Sequence, residues 1–261
     1  MEHHPDIIST HLMPSSEMTG FEPPGRQSRK MKNEKASFSS RQEMSRVILL
    51  LSGGIDSATA LYMTKLSTDD IYTVNMIYSI SYDAEAEAAK KVAAAAHVRD
   101  HLSILLPFFK DIEQRYHPTP STKYTSAYVP ARNIIFYGIA AAYAETLGAN
   151  QIVFGSNADD AKELPDARST FIQLMNELIR TGMRSCQEGS KIEIVNPLIN
   201  YSKYNVLKLA LELKVPLELT WSCYENGKSP CGKCRGCTNR LKAFNQIGAP
   251  DPLFISGSID E

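Results

Sequence analysis

The chain first shows a clear hydrophobic pattern at residues 47–52 (VILLLS), an unbroken apolar run closed by two glycines. An unbroken run predicts a strand buried on both faces, because a half-exposed strand would alternate. After it the period switches repeatedly. Residues 57–66 predict a helix, 71–80 a strand, and 83–96, dense in Ala, Glu and Lys, a second helix. Residues 101–106 predict a third strand, and a proline-containing excursion follows over 107–130. Residues 133–147 predict a strong helix closed by Gly148, 151–155 (QIVFG) a strand, 168–183 a helix, 192–196 (IEIVN) a strand, and 203–213 a helix that stops before Pro216. Strands separated by helical stretches predict an α/β fold: an open, mostly parallel sheet of about five strands with helices on both faces. The strand at 47–52 should be central, since the glycines after it sit where such sheets gather ligands.

Residues 1–44 break this pattern with Pro5, Pro14, Pro23, Pro24 and many serines among mixed charges. They carry too little apolar surface to offset chain entropy, so a disordered extension is expected. The main domain is expected over 45–215 and a smaller C-terminal segment over 216–261. Composition adds exclusions. At 261 residues, 43% hydrophobic and 22% charged, collagen-like, wholly disordered and disulfide-stapled classes are ruled out. A net charge of −1 lacks the footprint of a protein that coats nucleic acid. No apolar run approaches the ~20 residues of a bilayer span, and the N-terminus lacks the order of a secretory signal, so a cytoplasmic protein is expected.

The chemistry concentrates in two places. The first is Ser52-Gly53-Gly54-Ile55-Asp56-Ser57, between the apolar strand and the helix after it. Two glycines allow a sharp turn, so backbone N–H groups, serine hydroxyls and a helix N-terminus can converge on an anion. The segment has no Walker lysine for a γ-phosphate, which suits it to the pyrophosphate end of ATP. An ordinary strand-to-helix turn with Asp56 or Ser57 as N-cap is the bland alternative. The second place is Cys223-x7-Cys231-x2-Cys234-x2-Cys237, which holds four of the five cysteines. Four thiolates from one short segment suit structural, tetrahedral Zn²⁺, with Lys233, Arg235 and backbone N–H groups offsetting the surplus negative charge. An iron–sulfur cluster is the competing occupant, although the fuller Cys-x3-Cys-Pro continuation is missing. Unmetallated core cysteines are the third option, and Cys186 is expected to be a small apolar residue.

The SGGIDS run resembles the SGGxDS signature of the PP-loop ATP pyrophosphatases, which have a Rossmann-type sheet. Together the two motifs, over residues 46–255, resemble the QueC family, which makes 7-cyano-7-deazaguanine (preQ0). The family's tyrosine-valine-proline-x-arginine-asparagine element is met by Tyr128, Val129, Pro130, Arg132 and Asn133. Gly155, Asn157, Ala158, Asp160, Pro165, Asp166 and Arg168 meet the next element. Pro197-Leu198-Ile199 with Lys203 follows, and Trp221-Ser222-Cys223-Tyr224 leads into the remaining cysteines.

The resemblance implies that ATP adenylates 7-carboxy-7-deazaguanine, ammonia gives the amide, and a second adenylation leaves the nitrile, with AMP and pyrophosphate released. It implies that Ser52, Gly53, Gly54, Ile55, Asp56 and Ser57 line the pyrophosphate, with Asp56 near Mg²⁺. Arg132 and Lys203 would neutralise phosphate charge, and Asp160 or Asp166 would meet Mg²⁺ or the purine-like edge. Asn133, Asn157 and Arg168 complete the expected substrate contacts, and a homodimer is the expected assembly. The bland readings of Arg132 and Asp166 are a surface ion pair and a helix cap.

Two segments depart from the family. Tyr78-Ser79-Ile80-Ser81-Tyr82 stands where members carry YGQRH, and the stretch from Asp160 to Arg168 (DAKELPDAR) stands where they carry DYSGYPDCR. These changes motivate a second reading, a QueC-like enzyme that passes the activated acid to another acceptor such as a protein amine, as in antiphage defence. A third reading makes the cysteine segment, with Lys228, Lys233, Arg235, Arg240 and Lys242, an RNA-binding module. The absence of aromatic residues between Cys231 and Arg240 counts against it. A tRNA-thiolating PP-loop enzyme is a fourth, disfavoured because its chemistry asks for a catalytic cysteine or a cluster.

Overall fold

A computed structural model describes residues 45–78, 83–117, 128–225 and 227–256. Five strands, β1 (Val47–Leu50), β2 (Ile71–Ile77), β3 (Asp100–Leu105), β4 (Gln151–Val153) and β5 (Glu193–Val195), form one sheet in the order β3-β2-β1-β4-β5. Every pairing is parallel, and β1 is in the middle, with Val47 against both Ile71 and Gln151. The predicted strand placement therefore holds.

The unbroken apolar run is explained by the packing. Val47, Leu49 and Leu51 enter a core with α1 (Ile55–Thr64), α2 (Asp83–Ala95), α8 (Lys203–Glu212) and α9 (Arg235–Ile247). Ile48 enters the opposite core, with α4 (Arg132–Leu147) and α6 (Ser169–Gly182). Gly148 ends α4 in the left-handed region at φ 65°, where a side chain would be strained. The short helices α5 (Asp160–Glu163) and α7 (Arg184–Gln187) flank α6.

The five expected helices begin and end within a residue or two of the expected positions, but five others have no counterpart in the expectation, the short α5 and α7 among them. α3 (Phe108–Arg115) lies inside the proline-containing excursion, where Phe109 is fully buried against Tyr78 and Phe136. α9 and α10 (Pro252–Ser256) follow the cysteines. α9 puts Ala243 and Phe244 into the same core as β1, so the C-terminal segment shares the main hydrophobic cluster. The expected extension at 1–44 and four of the five residues replacing YGQRH lie outside the described residues. Among the described residues no helix is long and apolar enough to cross a membrane.

One buried ion pair fastens the C-terminal segment. Arg240 on α9 donates from Nε to Asp251 Oδ2 at 2.7 Å and from Nη2 to Asp251 Oδ1 at 2.9 Å. Its Nη1 donates to Thr220 Oγ1 at 2.7 Å, and Nη2 donates to the Leu217 carbonyl at 2.9 Å. Both charged side chains are about 1% exposed. Arg240 is thus structural, which removes it from the basic face that an RNA-binding module would need.

Candidate nucleotide and metal site

The chain turns sharply at the C-terminal end of β1. Gly53 has φ 88°, and a Cβ there would lie 2.5 Å from the Glu85 carbonyl oxygen, so only glycine permits this turn against α2. Ser52 and Ser57 face each other across the loop, their hydroxyl oxygens 3.0 Å apart, and the Ser52 N–H donates to Ser57 Oγ at 3.2 Å. Gly54 is the N-cap of α1 with no side-chain cap bond, so neither Asp56 nor Ser57 is a helix cap. The bland reading of the loop fails on that point.

Asp56 projects from the first turn of α1 and is gripped from two sides. Lys203, the first residue of α8, donates from Nζ to Asp56 Oδ1 at 2.6 Å and to Oδ2 at 2.7 Å. Asn157 donates from Nδ2 to Asp56 Oδ2 at 3.0 Å. The Asn157 Oδ1 accepts from the backbone N–H groups of Asp159 and Asp160, at 2.9 and 3.1 Å, while its own N–H donates to Asp160 Oδ2. Asn157, expected as a substrate contact, borders the cavity beside Asp56 and is buried, with its amide engaged on Asp56 and Asp160. Burial and then the neighbouring Asp56 charge raise the Asp160 carboxyl above the usual range. Gly155 makes this crossing possible, since a Cβ there would fall 2.6 Å from the Asp56 carbonyl oxygen.

Two cavities meet at the loop. The first, about 620 Å³, is lined by Ser52, Gly54, Ile55, Asp56, Lys203 and Trp221 among others. The second, about 370 Å³, is lined by the aromatic residues Tyr78, Phe136, Tyr137 and Phe154 with Asn75, Arg132 and Asn133. Ser52, Ser57, Glu85, Gly155, Asp160 and Tyr224 border both. Arg132 lies over the Tyr78 ring, 5.5 Å from its centroid, and donates to the Tyr78 hydroxyl at 3.1 Å. Of the remaining expected substrate contacts, Asp166 lines neither cavity; it is buried, and its Oδ1 has no hydrogen-bond partner among the described residues. Burial raises its carboxyl, against the pull of Arg132. Arg168 borders neither cavity; it is exposed and donates from Nε to the Ala161 carbonyl. Glu85 was not foreseen at all. It sits in an Ala/Glu run whose periodicity marks only a helix, and its place at the cavity junction comes from the packing of α2 on the loop.

The four cysteines converge as expected. The Sγ atoms of Cys223, Cys231, Cys234 and Cys237 all lie within 4.8 Å of one another. Cys223–Cys234 and Cys231–Cys237 are 3.9 and 4.0 Å apart. A tetrahedron with metal–sulfur bonds of ~2.3 Å has edges of ~3.8 Å, so the cysteines fit a single tetrahedral ion. A multi-iron cluster needs room for its own atoms between the thiolates, which this spacing lacks. Arg235 does not supply the expected charge compensation, because it is ion-paired with Glu163. Backbone N–H groups do so instead: Tyr224 and Cys237 donate to Cys234, Glu225 and Cys231 to Cys223, and Cys234 to Cys231. Bonds from the Lys233 and Cys234 backbones lower the Cys231 thiol to about 6. Gly236 lets α9 approach, since a Cβ there would lie 1.8 Å from the Ser222 carbonyl oxygen.

The cysteine segment touches the glycine loop directly. The Trp221 N–H donates to the Gly53 carbonyl at 2.9 Å, while Trp221 Nε1 donates to the Cys223 carbonyl at 2.9 Å.

Residues 46–248 match the family model described as "Queuosine biosynthesis protein QueC". A 7-cyano-7-deazaguanine synthase from Trichodesmium erythraeum (strain IMS101) is 39% identical over 226 residues, covering 80% of this chain and 100% of that protein. Its counterpart from Acaryochloris marina (strain MBIC 11017) is 40% identical over 223 residues, covering 80% and 98%. Among solved structures, an NH3-dependent NAD synthetase from Campylobacter jejuni aligns at 17% identity with a TM-score of 0.44, over 69% of this chain and 68% of that one. With a model match that spans both the glycine loop and the four cysteines, and relatives aligned over nearly their whole length, the chain belongs to the QueC family.

Proposed function

We propose that the chain is a 7-cyano-7-deazaguanine synthase that activates 7-carboxy-7-deazaguanine with ATP and converts it with ammonia to the nitrile. The observation that carries this reading is the Asp56–Lys203 pair beside the SGGIDS loop, at the point where two cavities meet. A carboxylate carbon is a poor electrophile; joined to AMP it gains a good leaving group. The loop's N–H groups and hydroxyls, with Lys203, suit the departing pyrophosphate, because donors fixed in advance stabilise charge as it develops. Asp56 is the residue that would hold Mg²⁺, whose contribution there is to screen the triphosphate. The cavities on either side of the loop offer room for a nucleotide and for a planar bicyclic acid, with Arg132 lining the second, aromatic one. Zinc is the ion assigned to the four cysteines, in a structural role, since four thiolates leave no open position for water.

Incubation with ATP, 7-carboxy-7-deazaguanine and ammonia should yield the nitrile, AMP and pyrophosphate by chromatography and mass spectrometry. Substrate-dependent ADP would refute adenylation. A second reading keeps the activation but changes the acceptor to a protein amine. It is favoured by one observation: Leu164 and Ala167, from the stretch that departs from the family, border the second cavity. An activated acid with no nitrile in the same assay, and a covalent adduct on an added protein, would select it.

A further inference from the structure

Glu85 is the acidic residue at the cavity junction for which the function as described has no use. It lies in the first turn of α2, which is packed so tightly on the glycine loop that its carbonyl oxygen would be 2.5 Å from a Cβ on Gly53. It borders both cavities, next to the serines that line the loop. Other ionisable groups face it from each neighbouring element: Arg132 from α4, Tyr224 from the cysteine segment, Asp160 from α5, and across the first cavity Asp56 and Lys203.

Resting on the synthase reading above, we propose that Glu85 is the base that takes the nitrogen-bound protons during amide and nitrile formation. In the first step the ammonia nitrogen bonds to the acyl carbon and becomes cationic. One N–H proton passes to the Glu85 carboxylate, and the carbon–oxygen bond to AMP breaks, leaving the amide. In the second, after adenylation of the amide oxygen, the remaining N–H protons pass in turn to the same carboxylate, which returns each to solvent. The carbon–oxygen bond to AMP breaks and the carbon–nitrogen triple bond forms. The junction is the right place for this, because the reacting carbon must lie between the nucleotide and the acid. Burial raises the Glu85 carboxyl to about 7, opposed by Arg132, which gives a base strength matched to neutral pH.

The test compares wild-type and E85Q full-length, zinc-loaded enzyme in three assays. Acid-dependent exchange of labelled pyrophosphate into ATP reports adenylation, quenching into excess hydroxylamine, where a second hydroxylamine takes the proton, reports the adenylate, and nitrile formation reports the base. General-base catalysis contributes ~10²–10⁴-fold. E85Q should keep exchange and hydroxamate formation within about threefold while ammonia-dependent turnover falls by ~10²-fold or more, with loss of the acid limb of the pH profile near 7. An equal loss in all three assays, or a rise in KM for the acid with kcat unchanged, would overturn the base role in favour of structure or recognition. No exchange in the wild type would instead sink the synthase reading beneath it.

Discussion

Truncating Asp251 tests how much the metal segment depends on one buried charge. In the D251A variant the Arg240 guanidinium loses both carboxylate bonds, at 2.7 and 2.9 Å, and keeps its contacts to Thr220 and Leu217. Both partners are about 1% exposed, so water cannot replace the acceptor without opening the segment. Leaving one member of a buried pair uncompensated costs about 3–5 kcal/mol. For a domain of this size each kcal/mol lowers Tm by ~2–4 °C, so a drop on the order of 10 °C is expected. The double variant R240L/D251L should recover most of that loss, because it removes the orphaned charge and fills the space with apolar atoms. Thr220 adjoins Trp221, so D251A should also weaken ATP binding before it unfolds the sheet. Urea unfolding with nucleotide titration measures both. A D251A protein within about 1 kcal/mol of wild type, or a double variant no better than the single, would refute the argument.

Four further outcomes follow from particular positions. Lys203→Met should lower adenylation by ~10²–10³-fold with the far-ultraviolet dichroism intact, as expected for a lost electrostatic contact to the leaving group. Gly236→Ala, whose Cβ would meet the Ser222 carbonyl at 1.8 Å, should lose zinc by elemental analysis, whereas Gly138→Ala, with open space around it in α4, should gain about 0.5–1 kcal/mol in urea unfolding. Burial raises Glu85 from an ordinary 4.5 to about 7, so the folded chain retains a proton there that the unfolded chain has released. Stability should therefore fall as pH rises through that window, by up to about 3 kcal/mol, and the advantage of E85Q over wild type should grow between pH 4 and 8. A difference that stays flat with pH contradicts it.

The sheet was readable because its signal is local and repeated. Residues 47–52 are apolar at every position since β1 packs helices on both faces, and the glycines that follow mark where the chain turns. The four cysteines announce a metal by type and spacing, and their side chains do converge. What the sequence concealed depends on contacts between distant segments. α3 is hidden by its surroundings: flanking prolines suggest a loop, yet the burial of Phe109 between Tyr78 and Phe136 fixes a helix. Arg240 and Arg235 look alike in a basic string, but one is buried on Asp251 and the other pairs with Glu163 at the surface. Asn157 matches a family motif without revealing that its amide is engaged in orienting two aspartates. Glu85 carries no motif signal of its own, since only the tertiary packing of α2 brings it to the loop.

The hydrogen bond from Trp221 to Gly53 imposes an order of assembly. Gly53 precedes Trp221, whose N–H closes its carbonyl, by about 170 residues, so most of the domain is made between them. A nascent chain that has formed the sheet but not the cysteine segment holds the turn without one wall of its cavity. With nucleotide seated at the loop as proposed, its binding should favour by mass action the state in which the cysteine segment is docked over intermediates that lack this wall.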